Sequence, residues 1–322
     1  MARLDQALSP LSMELIRGLH NLRDRHRGCV ATIGAFDGVH QGHQAVLQHL
    51  LERARAMGLP STVILFEPLP REYLNPEAAP ARLMSFREKF DAMAALGVDR
   101  VLRVRFDEDL RTMSALAFIQ RIFVDGLGAR YVVLGDDLRF GHDREGDFDL
   151  MRAEGQRHGF ECMPTPTLDV AGERVSSTRI REALARADFA LAEELLGRPY
   201  SISGKVVYGD QRGRTLSAPT ANLLLHRLRS PLSGVYQVQV QVAGEAGLRP
   251  GVANVGRRPT VGEQFRASLE VHLLDYAGDL YGKRLHVRFL EKLRDEQKFD
   301  SIDLLAEQIH RDIARGRELF NL

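Results

Sequence analysis

Residues 29–33 form a short, unbroken apolar run with β-branched members, the pattern of a strand buried on both faces. Gly34 and Gly38 then allow a sharp turn. From Gly42 the period changes. Val46, Leu47, Leu50, Leu51 and Ala54 recur at intervals of three and four, which predicts a helix. The alternation continues with a strand over 61–66, the breakers Pro68-Leu69-Pro70, and a helix over 85–96 that sets Phe86, Phe90, Met93 and Leu96 on one side. A strand over 101–106, a helix over 115–124 and a strand over 131–134 complete the series. Such βαβ spacing implies a Rossmann-like, doubly wound α/β domain around a mostly parallel sheet with right-handed crossovers. Ligands bind beyond the carboxyl ends of such strands, so segments 34–43, 67–71 and 135–141 are expected to line one crevice.

The texture changes after a short helix over 191–196 and Arg198-Pro199. Segments 202–208, 234–242, 269–274 and 285–289 alternate apolar with polar residues between Gly and Pro turns. That pattern predicts antiparallel β structure closed into a barrel. The tail, 301–320, is an amphipathic helix expected to pack through Ile302, Leu305, Ile309 and Ile313. The organisation is a domain over 1–186, a linker over 187–200 and a β-barrel domain with a C-terminal helix over 201–322, without internal repeats or low-complexity tracts.

Composition narrows the classes. The 322 residues suit about two domains. A net charge of +1 carries no basic excess of the kind that marks a nucleic-acid footprint. No apolar run approaches the ~20 residues that span a bilayer, and residues 1–17 lack the charged and apolar regions of a signal peptide. The two cysteines, Cys29 and Cys162, lie far apart and read as buried hydrophobes of a cytoplasmic protein.

Chemistry is concentrated at the first strand-to-helix junction, where His40 and His43 stand among glycines. Free backbone N–H groups and the helix dipole make such a junction an anion site. Gly42 permits close approach of a ligand, and the two histidines, three apart, can face the same anion. A metal reading lacks a third ligand at suitable spacing. Further on, Arg174-Val-Ser-Ser-Thr-Arg-Ile-Arg181 opens a helix with Ser177 or Thr178 as N-cap, yet carries Arg179 and Arg181 in a first turn that favours acids. Cations set against the dipole make sense if a polyphosphate sits there; the bland alternative is a solvated basic helix start. The string G-x-F-D-G-x-H-x-G-H resembles the signature of H-x-G-H nucleotidylyltransferases, and the Ser-Ser-Thr element is similar to its partner motif in one subfamily.

A second constellation begins at Gly204 and Lys205, runs through Gly209, Gly213 and Arg214, and ends in Pro219-Thr220-Ala-Asn222. In an extended segment Thr220 and Asn222 aim at one point, and their oxygens are hard ligands suited to Mg²⁺ held jointly with ATP phosphates. Glu270 shares a strand face with His272; taken alone it reads as an exposed strand carboxylate. This half resembles riboflavin kinase, with P-T-A-N, G-V-Y, the segment around Asn254 and Asp279-Leu-Tyr-Gly282 in the family order. Together the halves resemble the bifunctional bacterial riboflavin kinase/FAD synthetases over nearly the whole chain after about residue 14.

That resemblance implies two reactions: riboflavin and ATP give FMN in the C-terminal module, and FMN with a second ATP gives FAD and pyrophosphate in the N-terminal one. It implies small-molecule partners only, no nucleic acid or membrane, and a monomer or transient homo-oligomer. It assigns the base to Glu270, and adenylyl transfer to His40 and His43 with contacts from Gly34, Phe36, Asp37, Gly38, Asp137, Arg174, Ser177, Thr178 and Arg181. In the kinase it implies contacts from Gly204, Lys205, Gly209, Gly213, Arg214 and Asn254, with Thr220 and Asn222 on the metal. Ser217-Ala218 and Leu69 depart from the family pattern, and Asp137 stands where some relatives carry Asn. A flavin- or nucleotide-binding regulator with a degraded kinase site, motivated by Ser217-Ala218, and an adenylyl-only enzyme are the competing readings. Retained Thr220, Asn222 and Glu270 oppose the adenylyl-only reading.

Overall fold

The computed structural model describes residues 13–135, 138–165, 168–170, 172–208, 219–259 and 265–322. They form two compact units: the described residues up to 80 with those of 86–175, and those of 81–85 with those from 176 on.

The first unit is built on six parallel strands: β1 (Glu14–Arg17), β2 (Val30–Ile33), β3 (Ser61–Phe66), β4 (Arg100–Val104), β5 (Tyr131–Gly135) and β6 (Glu161–Thr165). Their order is β1-β4-β3-β2-β5-β6. The chain moves outward from β2 through β3 to β4 and then returns to the other side of β2 with β5. The order therefore reverses between β2 and β5, the kind of switch point that opens a binding crevice. The central strands are buried except at the last residue of β3 and β5, in keeping with their apolar runs. Helices α1 (Gln41–Met57), α2 (Pro70–Leu74), α3 (Phe86–Leu96), α4 (Glu108–Arg111), α5 (Ala115–Phe118) and α6 (Phe148–His158) accompany them, and α5 runs directly into a wider π-type segment, Ile119–Gly126. A two-stranded ribbon, β7 (Asp169–Val170) with β8 (Glu173–Arg174), follows.

In α3 the expected face is only partly the inner one. Leu96 is 38% exposed, and the buried stripe is Glu88, Lys89 and Met93. Cys29 is buried and Cys162 half-buried; burial pushes their thiols up to about 11 and about 12.

The second unit starts with α7 (Ser177–Ala185) and α8 (Phe189–Leu196). Six antiparallel strands follow: β9 (Ser201–Val207), β10 (Ala221–Leu224), β11 (Gly234–Val242), β12 (Arg249–Pro259), β13 (Phe265–Leu273) and β14 (Arg284–Arg294). They close into a barrel in the order β10-β13-β12-β11-β14-β9, with β9 pairing β10. Alternation fills the interior with Ile202, Val206, Leu223, Val238, Val240, Leu269, Val271 and Val287, all buried.

The terminal helix, α9 (Ile302–Phe320), lies on β12 and β11. Ile302, expected to pack, is 71% exposed; Leu305, Ile309 and Ile313 are half-buried. Close approach depends instead on Gly316, where a Cβ would stand 2.5 Å from Val252 Cγ2. A fork of hydrogen bonds from Arg294 to the buried Asp312 carboxylate, at 2.8–3.0 Å, fixes the helix to the end of β14. Removing one partner of such a pair leaves a charge without its counterion, so Asp312→Ala is expected to cost about 3 kcal/mol. Thermal melting checks this; an unchanged transition would mean that the pair does not anchor α9.

Candidate active sites

Three loops follow β2, β3 and β5, which are neighbours in the parallel sheet, and therefore emerge at one sheet edge. The β2–α1 loop carries the histidines. Phe36 and Val39 both have positive φ, at 47° and 40°, in a region side chains rarely occupy, and Gly38 takes φ 90°. His40 caps α1: its Nδ1 accepts a hydrogen bond from the His43 backbone N–H at 3.3 Å. The two imidazoles stack with centroids 3.6 Å apart and planes 17° from parallel, and Phe36 covers the His43 ring at 5.0 Å. Gly42 leaves little room, since a Cβ there would lie 3.3 Å from the His40 ring, a tight contact. A Cβ on Gly34 would likewise meet the Phe36 ring at 2.9 Å.

Asp37 and His40 are buried. His43 keeps part of its surface open while its Nδ1 is sealed from solvent without a hydrogen-bond partner. That burial, with the nearby His40 and the Lys89 ammonium, holds His43 well below its ordinary pKa of 6.5. His43 is therefore a neutral imidazole at pH 7. Lys89 drew no notice in the sequence, because a charged residue on the packed face of a helix carries no signal of its own. It is fully buried and its Nζ donates to the Ala35 carbonyl in the histidine loop at 3.2 Å.

Arg174 is exposed on β8, opposite Asp169. Ser177, Thr178 and Arg181 stand in the first turns of α7, in the second unit. The cap is Ser176 rather than Ser177 or Thr178, its side chain accepting from the Arg179 N–H, so both following hydroxyls are released from capping. Arg181 Nε donates to the Ala81 carbonyl at 2.6 Å. Asp137, Gly209, Gly213, Arg214 and the Ser217-Ala218 departure lie outside the described residues.

The barrel brings the predicted kinase residues together by register. Asn222 on β10 lies directly opposite Glu270 on β13, and Glu270 directly opposite Asn254 on β12. Leu269 and Val271 point into the barrel and are buried, so the row Asn222, Glu270, Asn254 faces outward. Directly opposed side chains have Cβ atoms about 5 Å apart. Thr220, two residues before Asn222, shares its direction and lines the same cavity of about 450 Å³ at the barrel mouth. Val206, Ala221, Val271, Leu273 and the loop Tyr276–Tyr281 complete that cavity, and Glu270 stands outside its lining. Gly204 has a packing role, since a Cβ would meet Leu223 Cβ at 2.9 Å; Lys205 is exposed.

Two further contacts became visible only in three dimensions. His272, beside Glu270, donates from Nδ1 to the Pro219 carbonyl at 2.9 Å and ties down the start of P-T-A-N. Tyr281 of the cavity stacks on Tyr208 with centroids 4.1 Å apart. Aromatic spacing alone carries no signal for a pair 73 residues apart in sequence.

Comparison with known proteins matches each half of the chain to a family model. Residues 22–179 match the family model described as FAD synthetase, and residues 196–320 the one described as riboflavin kinase. The chain is 54% identical to a bifunctional riboflavin kinase/FMN adenylyltransferase of Pseudomonas fluorescens over 95% of its own length and 98% of that protein. It is 51% identical to that of Escherichia coli K12 over 96% and 99%. A solved Streptococcus pneumoniae chain titled a macrolide-efflux protein matches with TM-score 0.74 and 28% identity, covering 95% of this chain and 99% of that one. Among the described residues no helix is long and apolar enough to cross a membrane. The chain belongs to the bifunctional riboflavin kinase/FMN adenylyltransferases, with the FAD synthetase module first and the riboflavin kinase module second.

Proposed function

We propose that Glu270, Thr220 and Asn222 carry phosphorylation of riboflavin, and that His40 and His43, with Ser177, Thr178, Arg174 and Arg181, carry adenylyl transfer to FMN. The observation that supports the kinase half most is the cross-strand row, which sets a carboxylate beside the amide of Asn222. In this reading Glu270 takes the proton of the riboflavin terminal hydroxyl as its oxygen bonds to the γ-phosphorus and the bond to ADP breaks. A base so placed contributes roughly 10²–10⁴-fold.

Among the described residues no group of three or more His, Cys, Asp or Glu stands together as a metal cage. Thr220 and Asn222 instead offer two neutral oxygens, a partial set that suits Mg²⁺ held mainly by nucleotide phosphates. The ion would supply charge neutralisation between the phosphates. The cavity of about 450 Å³ at the barrel mouth is of a size to take the nucleotide base.

Adenylyl transfer needs no base, because the FMN phosphate is already an anion. Its oxygen bonds to the α-phosphorus of ATP as the bond to pyrophosphate breaks. The groups required are donors that hold the phosphates in line and meet the charge of the departing pyrophosphate. With Nδ1 of His43 buried away from partners, Nε2 is the nitrogen left to donate to a phosphate oxygen. The hydroxyls of Ser177 and Thr178, which follow the Ser176 cap, and the first-turn arginines are donors of the same kind. Cytoplasmic residence belongs to the same proposal, supported by two cysteines that are free thiols.

Three outcomes follow from this division. His43→Ala is expected to lower FAD formation from supplied FMN by about 10²–10³-fold while riboflavin phosphorylation stays within about twofold. Glu270→Gln is expected to do the reverse, lowering FMN formation by about 10²–10⁴-fold. Chromatography of FMN, FAD and pyrophosphate reads both, and loss of both activities from either folded variant would refute the division.

The third concerns pH. His43 is neutral in the folded chain, whereas the unfolded chain takes up a proton near the ordinary value of 6.5. Below that pH the unfolded state binds more protons, so His43 makes the fold lose stability as pH falls from about 6.5 toward its depressed folded value, and has no effect above. His43→Gln should flatten this acid loss of the N-terminal unit in melting curves between about pH 7.5 and pH 5. Identical pH dependence in the two proteins would contradict a buried neutral imidazole.

A further inference from the structure

The inner face of α3 breaks an elementary rule. Phe86 and Phe90 are only half-buried and Leu96 is exposed, while Lys89 is fully buried with Glu88 beside it. Lysine is among the residues least often buried completely, because its ammonium loses hydration that a protein interior replaces only in part. A helix whose apolar positions could have been turned inward instead spends one of its two fully buried positions on an ammonium. Departures of this kind, where local pattern and fold disagree, concentrate at functional sites.

The ammonium is also in a telling place. It donates to Ala35, in the middle of the loop between β2 and α1. That loop holds two side-chain-bearing residues, Phe36 and Val39, at positive φ. Such conformations are costly and persist only where surrounding contacts over-determine them. The Ala35 carbonyl immediately precedes the first strained residue, so the bond from Lys89 pins the loop where it departs from ordinary backbone. The same ammonium is close enough to His43 for its charge to bear on the ring. It therefore adds positive potential at an end of the site where His43 is neutral and where a triphosphate must be gripped.

We propose that Lys89 is a positioning residue for adenylyl transfer: through the Ala35 carbonyl it holds the strained histidine loop, and its buried charge draws the polyphosphate of ATP to His40 and His43. The inference rests on the adenylyl-transfer reading of this loop. Because the riboflavin kinase site is in the other unit, the chain carries its own reference activity.

The test compares Lys89→Met and Lys89→Arg with the unaltered chain, supplying FMN, ATP and Mg²⁺ for one assay and riboflavin, ATP and Mg²⁺ for the other, with melting followed in parallel. Lys89→Met is expected to lower FAD formation by about 10²-fold, the scale of loss that a misplaced reacting group produces. Its melting temperature should be unchanged or higher, since an apolar chain of similar length replaces a buried charge. Riboflavin phosphorylation should hold within about twofold, and Lys89→Arg should recover FAD formation to within about tenfold of the unaltered chain. The proposal is overturned if Lys89→Met keeps FAD formation within about threefold. It is equally overturned if activity and melting temperature fall together and Lys89→Arg restores both, which marks a purely structural lysine, or if Lys89→Arg restores nothing. Failure of the underlying reading has a different signature: the unaltered chain would itself form no FAD from FMN.

Discussion

The hydrogen bond from the His43 backbone N–H to His40 Nδ1 makes the start of α1 and the proposed adenylyl site one object. A helix must find partners for its first N–H groups, and serine, threonine, aspartate or asparagine usually provides them. Here an imidazole does, and the cost of that choice runs through the neighbourhood. The His40 ring lies nearly flat against that of His43, and a side chain at position 42 would crowd it. The loop before it must turn with two residues at positive φ, and a buried ammonium must hold that turn. The histidines are thereby fixed before any nucleotide arrives, which is the condition under which donors stabilise a reacting phosphate without reorganising.

The barrel reaches preorganisation by another route. No cap or strained loop is needed, because antiparallel register alone sets Asn222, Glu270 and Asn254 in line on the outer face. A one-residue slip of any of these strands would turn its member of the row inward, and the buried Leu269 and Val271 on the opposite face oppose such a slip. Burial of one face thus secures the row on the other. His272, next on that outer face, extends the row to the loop by its bond to Pro219.

Most of the fold was legible in the sequence where burial is symmetrical. β2, β3 and β5 are covered on both faces and announce themselves as continuous apolar runs. The two sheet edges, β1 and β6, did not: β6 is mostly exposed and contains Pro164, which an edge strand tolerates. β12 was hidden by its Pro250, Gly251 and Gly256. The histidines, Thr220 and Asn222 stood out because they sit in contiguous motifs, whereas Glu270 read alone as an exposed strand carboxylate and drew notice only through the family resemblance. Lys89, the Ser176 cap and the His272 tie were not legible, since each depends on a partner that only folding supplies. The expectation for Ile302 failed because helical periodicity says which residues share a face, but not where along its length the helix meets the barrel.

The central proposal is that the two reactions use separate sets of residues, so that FMN released by one chain can be adenylylated by another. Mixing the His43→Ala and Glu270→Gln chains, then supplying riboflavin, ATP and Mg²⁺, tests it most directly. The account predicts FMN alone from the first chain, neither product from the second, and FAD from the mixture. FAD from the His43→Ala chain by itself, or none from a mixture in which each chain keeps its remaining activity, would contradict it.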